Sequence, residues 1–191
     1  MPLSPEDIVR DYVTDGIIVE PNPAWPQRFS DTKARIEAVL GSTAVAILHF
    51  GSTSISGLPA KDIIDIDLVV KDIKDEDSYV EALERLGFLF LLRQPDWHQT
   101  RFFVDQGDRP GAYPIHLHVF GPDCPEVERH RIFREWLSKS PEDLQLYATV
   151  KRECAAASEA AGESMNEYTL RKEKTVREIL NRAFRDLGYI E

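Results

Sequence analysis

Sulfur is scarce in this chain, and sustained apolar runs are missing. Its 191 residues include two cysteines, Cys124 and Cys154, with no spacing that pairs them. That excludes a disulfide framework and a zinc ribbon and suits a reducing compartment. No apolar stretch reaches the roughly 18 residues that a membrane span needs. The opening MPLSPEDIVRDY lacks the charged and apolar regions of a signal peptide. A cytoplasmic protein with no membrane partner is expected. Positive charge is also short: 23 Lys and Arg face 33 Asp and Glu, for a formal net charge of -10. This balance excludes broad electrostatic binding to nucleic acid or anionic membrane. It leaves room for a phosphorylated small molecule, which needs only a local cluster of cations or a metal ion.

What is present is enough for one globular domain. Hydrophobic residues make up 42% and aromatics 9%, ordinary values for a chain with a sizeable core. SPEDIVRDYV reads as a short helix capped by Ser4, with Pro5 in its first turn. IIVEP, 17–21, reads as a short strand or an extended lead-in. Helical spacing follows in WPQRFSDTKARIEAVLG, which Gly41 stops. Strands are expected at 44–50 (AVAILHF), 63–70 (IIDIDLVV), 88–92, 99–105 and 115–120 (IHLHVF), the last as a hairpin partner of the fourth. A helix is expected at 75–87. After Pro125 only helical patterns remain, three of them, broken near Pro141 and Gly162. The expected organisation is an N-terminal segment 1–17, an α/β core 18–122, and a C-terminal helical tail 123–191 packed on that core.

The run ILHFGSTSISGLPAKDIIDIDLVV carries the chemistry. Side chains alternate faces along a strand, so Asp65 and Asp67 project together while Ile64, Ile66 and Leu68 anchor the other face. Two carboxylates held that close repel unless a cation lies between them. Mg²⁺ takes one or two carboxylates together with phosphate oxygens, and Mn²⁺ is an alternative. Gly51 lets backbone N–H groups approach an anion, and the hydroxyls of Ser52, Thr53 and Ser54 add donors. Lys61 closes the loop with positive charge. A D-x-D on a strand also serves as a solvated face or a structural ion pair, and many strands end in Gly-Ser. The two together on successive strands are far more specific.

That combination resembles the nucleotidyltransferase superfamily, which places a Gly-Ser after one strand and D-x-D on the next. Residues 18–180 are similar, more closely, to the GrpB family, a branch of it, through VEPNPAWPQRF, HFGSTSISGLPAKDIIDIDLVV, RFFVDQG, HLHVF, FREWL and EYTLRKEKTVREIL. The resemblance implies a nucleotidyltransferase-like α/β (α+β) fold: a small mixed sheet flanked by helices, with the helical tail beyond. It implies Gly51 and Ser52 as the phosphate corner and Asp65 and Asp67 as catalytic, metal-binding acids. A third carboxylate normally comes from a later strand; here that strand offers His116 and His118, with Asp105 as another candidate.

Arg101 is either a phosphate ligand or a solvated arginine. Lys172, after the tyrosine of the last helix, either contacts substrate anions or lies on a helix surface. Trp97 is core, rim or a stacking platform for a base. His49 either bonds the Gly-Ser loop or is a core histidine. The function implied is binding of a nucleotide or related phosphorylated ligand with Mg²⁺, with nucleotidyl transfer to an acceptor. A non-catalytic accessory domain is the second reading, since GrpB-like segments also occur fused to dephospho-coenzyme A kinases. A hydrolase whose histidines complete a transition-metal site is the third.

Overall fold

The computed structural model describes residues 17–163 and 165–191. The helix expected at SPEDIVRDYV lies outside the described residues, and Val19 forms an isolated antiparallel bridge with Ala60. Helix α1 spans Trp25–Leu40, with Pro26 in its first turn, where a missing N–H costs nothing. It buries Trp25, Thr32, Ile36 and Leu40, a stripe at helical spacing, and ends at Gly41 with a φ of 50°.

Five strands form one mixed sheet in the order β1-β2-β5-β4-β3. They are β1 Ala44–Phe50, β2 Ile64–Val70, β3 Leu89–Gln94, β4 Thr100–Asp105 and β5 Ile115–Phe120. Only β2 and β5 run parallel; the other pairs are antiparallel. One face is apolar. Ile64, Ile66 and Leu68 lie beside Ile115, Leu117 and Val119 and pack against α1 and against α2, Val80–Arg85.

The helix expected over 75–87 is shorter than its pattern. A tight turn at Glu76–Ser78 precedes α2, and Tyr79 leaves helical geometry with φ −141°. Its ring is fully buried and its hydroxyl donates to the Ile73 carbonyl at 2.7 Å. Anchoring that side chain inward outweighs the local propensity to continue the helix.

Past the sheet come α3 Pro125–Lys139, α4 Pro141–Ala161 and α5 Met165–Asp186. They pack on one another and on the loop after β1 through Ile55, Leu58, Leu137, Tyr147 and Ile179. This second core closes over the sheet face that carries the acids, so α3–α5 become a wall of the site. No helix among the described residues is long and apolar enough to cross a membrane.

Candidate functional site

Phe50 pairs with Asp65 across the β1–β2 ladder, so Asp65 stands directly against the end of β1. The next residue, Gly51, has φ 68°, and a Cβ there would lie 2.9 Å from both Cβ and Cγ of Asp65. Glycine is required twice, by backbone conformation and by the close approach of the acid. Beyond it, the Ser54 hydroxyl donates to the Gly51 carbonyl at 2.6 Å. Thr53 bonds His49 at 3.0 Å, and the His49 ring stacks on Phe29. Burial lowers His49 to about 4, so it is neutral. Thr53 and Ser54 therefore hold the shape of the corner. Ser52 faces a small cavity.

That cavity, of about 150 Å³, is lined by Ser52, Asp65, His116 and three lysines. Lys61 comes from the loop before β2, Lys151 from α4 and Lys172 from α5. Tyr168 is their pivot: its ring centroid lies 4.4 Å from Lys61 Nζ and 4.1 Å from Lys172 Nζ. Lys151 is buried and donates to the Pro59 carbonyl at 2.6 Å. Burial pushes Lys61 and Lys172 down to about 8. Burial, then the neighbouring Lys172, brings Lys151 down to about 7. Three mutually repelling ammonium groups in a shielded space favour an arriving anion.

The two acids lie on one face, in register with His116 and His118, yet their surroundings differ. Asp65 opens on the cavity with His116 Nδ1 at 3.4 Å. Burial works against its charge, but the hydrogen bond with His116 and the nearby imidazoles outweigh it and hold Asp65 below the usual range. Asp67 is only 1% exposed. His130, on α3, donates from Nδ1 to Asp67 Oδ2 at 2.8 Å, while its Nε2 lies 3.2 Å from Glu126 Oε1. Carboxylates at both ring nitrogens require the imidazolium. Burial alone would lower His130, but these partners outweigh it and raise it to about 9. Arg129 clasps Glu126 from the other side. The result is an alternating chain of charges, Asp67, His130, Glu126 and Arg129, with Phe50 stacked on the His130 ring at 4.2 Å.

Other candidates fall elsewhere. Arg101 pairs with Val119 across the ladder and so lies on the opposite, apolar face; there it is bound to Glu76 at 2.5 Å. It is a structural ion pair. Asp105 is on that same face, held by Arg109 and the Gly107 amide, and supplies no third carboxylate. His118 is enclosed by Phe102, Phe50 and Trp97, and burial lowers it to about 3. It is a half-buried neutral ring that lines neither the small cavity nor the larger one adjoining it.

Lys151 and His130 escape a reading by motif, though each leaves a trace. On α4, Leu144, Tyr147, Ala148 and Lys151 follow core spacing, and a lysine in an apolar stripe is the signal. On α3, Glu126, His130, Phe133 and Leu137 do the same.

The residues that could hold a divalent ion are few. Asp67 Oδ1 is buried with no hydrogen-bond partner among the described residues, and a cation between the acids would satisfy it. Among the described residues no group of three or more His, Cys, Asp and Glu is gathered to hold an ion. Two carboxylates suit Mg²⁺ when phosphate oxygens complete its shell. Among the described residues the histidine-completed transition-metal site is not assembled.

A family model described as GrpB protein matches residues 17–182. A UPF0157 protein of Halalkalibacterium halodurans is 40% identical over 166 residues, covering 87% of this chain and 81% of that protein. The dephospho-CoA kinase of Mycobacterium tuberculosis is 27% identical over 188 residues, covering 87% of this chain but 46% of the kinase. A crystal structure of conserved protein GrpB from Enterococcus faecalis matches with a TM-score of 0.75 at 25% identity, covering 90% of this chain and 99% of that one.

Proposed function

This chain belongs to the GrpB family, and from that premise we propose that its small cavity binds the phosphates of a nucleotide, or of a related phosphorylated ligand, together with Mg²⁺, and supports nucleotidyl transfer. One observation carries the reading. Three lysines from three separate elements meet beside the Gly51–Ser52 corner and Asp65, inside a chain whose formal net charge is -10. Concentrating one buried and two half-buried cations against the average of the molecule costs stability and is explained by an anionic ligand.

Each group has a task. Lys61, Lys151 and Lys172 offset the charge of the terminal phosphates, and Ser52 with the neighbouring amides donates to their oxygens. Asp65 and the unpartnered oxygen of Asp67 would hold Mg²⁺ jointly with the ligand. When bound, the ion offsets charge that develops on the transferring phosphoryl group. An acceptor hydroxyl oxygen bonds to the α-phosphorus, the bond to the bridging oxygen breaks, and pyrophosphate leaves with that electron pair. The hydroxyl proton passes to solvent.

A second reading, a ligand-binding accessory domain, is favoured because among the described residues Asp65 is the one carboxylate that lines the small cavity, while β5 offers histidines and Asp105 faces away. The likeness to a dephospho-CoA kinase is compatible with such a role. Pyrophosphate release from a nucleoside triphosphate panel with Mg²⁺ separates the two. Transfer requires release that Asp65→Asn abolishes while the unfolding curve keeps its cooperativity. Ligand binding with no release by the wild-type protein leaves the accessory role.

A further inference from the structure

A larger cavity, of about 550 Å³, adjoins the phosphate site, with Thr169 and Lys172 lining both. It lies between the end of β1, α3 and α5. Its size falls in the range of roughly 300–1,000 Å³ usual for small-molecule sites. The small cavity, at about 150 Å³, holds phosphates and little more. We propose that the larger cavity is an acceptor site for an anionic aromatic small molecule, occupied at the same time as the phosphate site.

The aromatic character comes from the walls: Phe50, Trp97, Phe133 and Tyr147 all border the space. Such surfaces favour a planar ring, by stacking or by edge contact. The anionic character comes from unmatched cations. Arg129 and Arg177 also border the cavity, but each is paired with a glutamate on its own helix. Arg134 has no carboxylate partner among the described residues, and Lys172 feels only the Asp65 carboxylate across the small cavity. Arg134 donates to the His49 carbonyl, and Lys172 rests on the Tyr168 ring. These two cations project from α3 and α5 on different walls of the cavity.

Arg134 also distinguishes an acceptor from the donor's own nucleoside. A base and its sugar are neutral and would leave Arg134 unmatched, whereas Lys172 is shared with the donor phosphates of the small cavity. A molecule with a ring and a phosphate or carboxylate uses both features. The inference rests on the phosphate reading only in assigning the small cavity to the donor.

The test uses AMP as the aromatic anion, inorganic tripolyphosphate as a probe of the small cavity, and an α,β-methylene analogue of ATP as an inert donor, all with Mg²⁺. In calorimetric titrations AMP binds protein already saturated with tripolyphosphate, and equally protein saturated with the analogue. Trp97→Ala and Arg134→Gln each weaken AMP about tenfold and leave tripolyphosphate binding unchanged. Two variants are used so that a folding defect in one does not decide the matter. Displacement of AMP by the analogue but not by tripolyphosphate assigns the cavity to the donor's nucleoside and overturns the proposal. Absence of AMP binding, or AMP binding indifferent to both variants, overturns it too. AMP binding in a protein that ignores tripolyphosphate defeats the phosphate reading and leaves the aromatic-anion site standing.

Discussion

Gly51 shows most sharply how a single residue sets this site. Its positive φ and the Asp65 carboxyl pressed against it leave no space for a methyl group. Gly51→Ala combines backbone strain with overpacking and is expected to cost roughly 2–4 kcal/mol in urea unfolding. His130 sets the state of the second acid. His130→Gln leaves Asp67 buried without its cation while Glu126 keeps Arg129, an expected loss of about 3–5 kcal/mol near neutral pH. The sign follows from the raised folded value of His130: its contribution is present below the ordinary value and is lost as pH rises through about 9. Burial also raises Asp67 to about 6, so the pair weakens again in acid as that carboxyl takes up its proton. The stability difference between wild type and His130→Gln should therefore peak near pH 6.5 and shrink by pH 10; a difference that stays flat contradicts the charge chain. Both acids were legible as one face of a strand because alternation is a local property. Their unequal burial was not, since it depends on a helix that arrives 63 residues later.

At the scale of elements, the strands and tail helices follow from local pattern, and β1 and β5 have the expected bounds. What pattern cannot state is which wall an element supplies. Arg101 alternates correctly along β4, but the ladder turns it to the apolar face, and only sheet order decides that. Lys151 is the reverse case: its position on α4 is a core position, and the charge there is explained by the cavity the helix closes. Substituting Lys151 by methionine keeps the volume and removes a buried ammonium. Lys151→Met is expected to stabilise the fold by about 1 kcal/mol at pH 7 in thermal unfolding, because burying a charge costs more than its one hydrogen bond returns. The same change should weaken tripolyphosphate binding at least tenfold by calorimetry. A variant both less stable and unchanged in binding would mean that Lys151 is a structural hydrogen-bond donor only.

For the whole molecule, the contrast is between a chain of formal net charge -10 and a cavity lined by ammonium groups. Anion affinity should therefore fall as the lysines lose their protons. Lys61 and Lys172 stand near 8 and Lys151 near 7, facing Asp65, His116, Tyr168 and the Cys154 thiol. Their depressed values mean that the protonated cluster costs folding stability below pH 7, a cost whose relief begins as pH rises through 7 to 8 and is complete only near the ordinary lysine value of 10.5. Ligand binding runs the other way, and tripolyphosphate affinity is expected to drop about tenfold between pH 6.5 and 9. Calorimetry at both pH values checks it; an affinity that rises with pH contradicts a lysine-held anion. The most direct measurement of the central claim is thermal unfolding of the intact protein with a nucleoside triphosphate panel, with and without Mg²⁺. A ligand at 100 times its Kd adds about 2.7 kcal/mol of stability. The account predicts such a shift for at least one triphosphate, larger with Mg²⁺ and reduced by Lys172→Gln, while Mg²⁺ alone has no effect. No shift with any triphosphate at millimolar concentration, or an identical shift in Lys172→Gln, contradicts it.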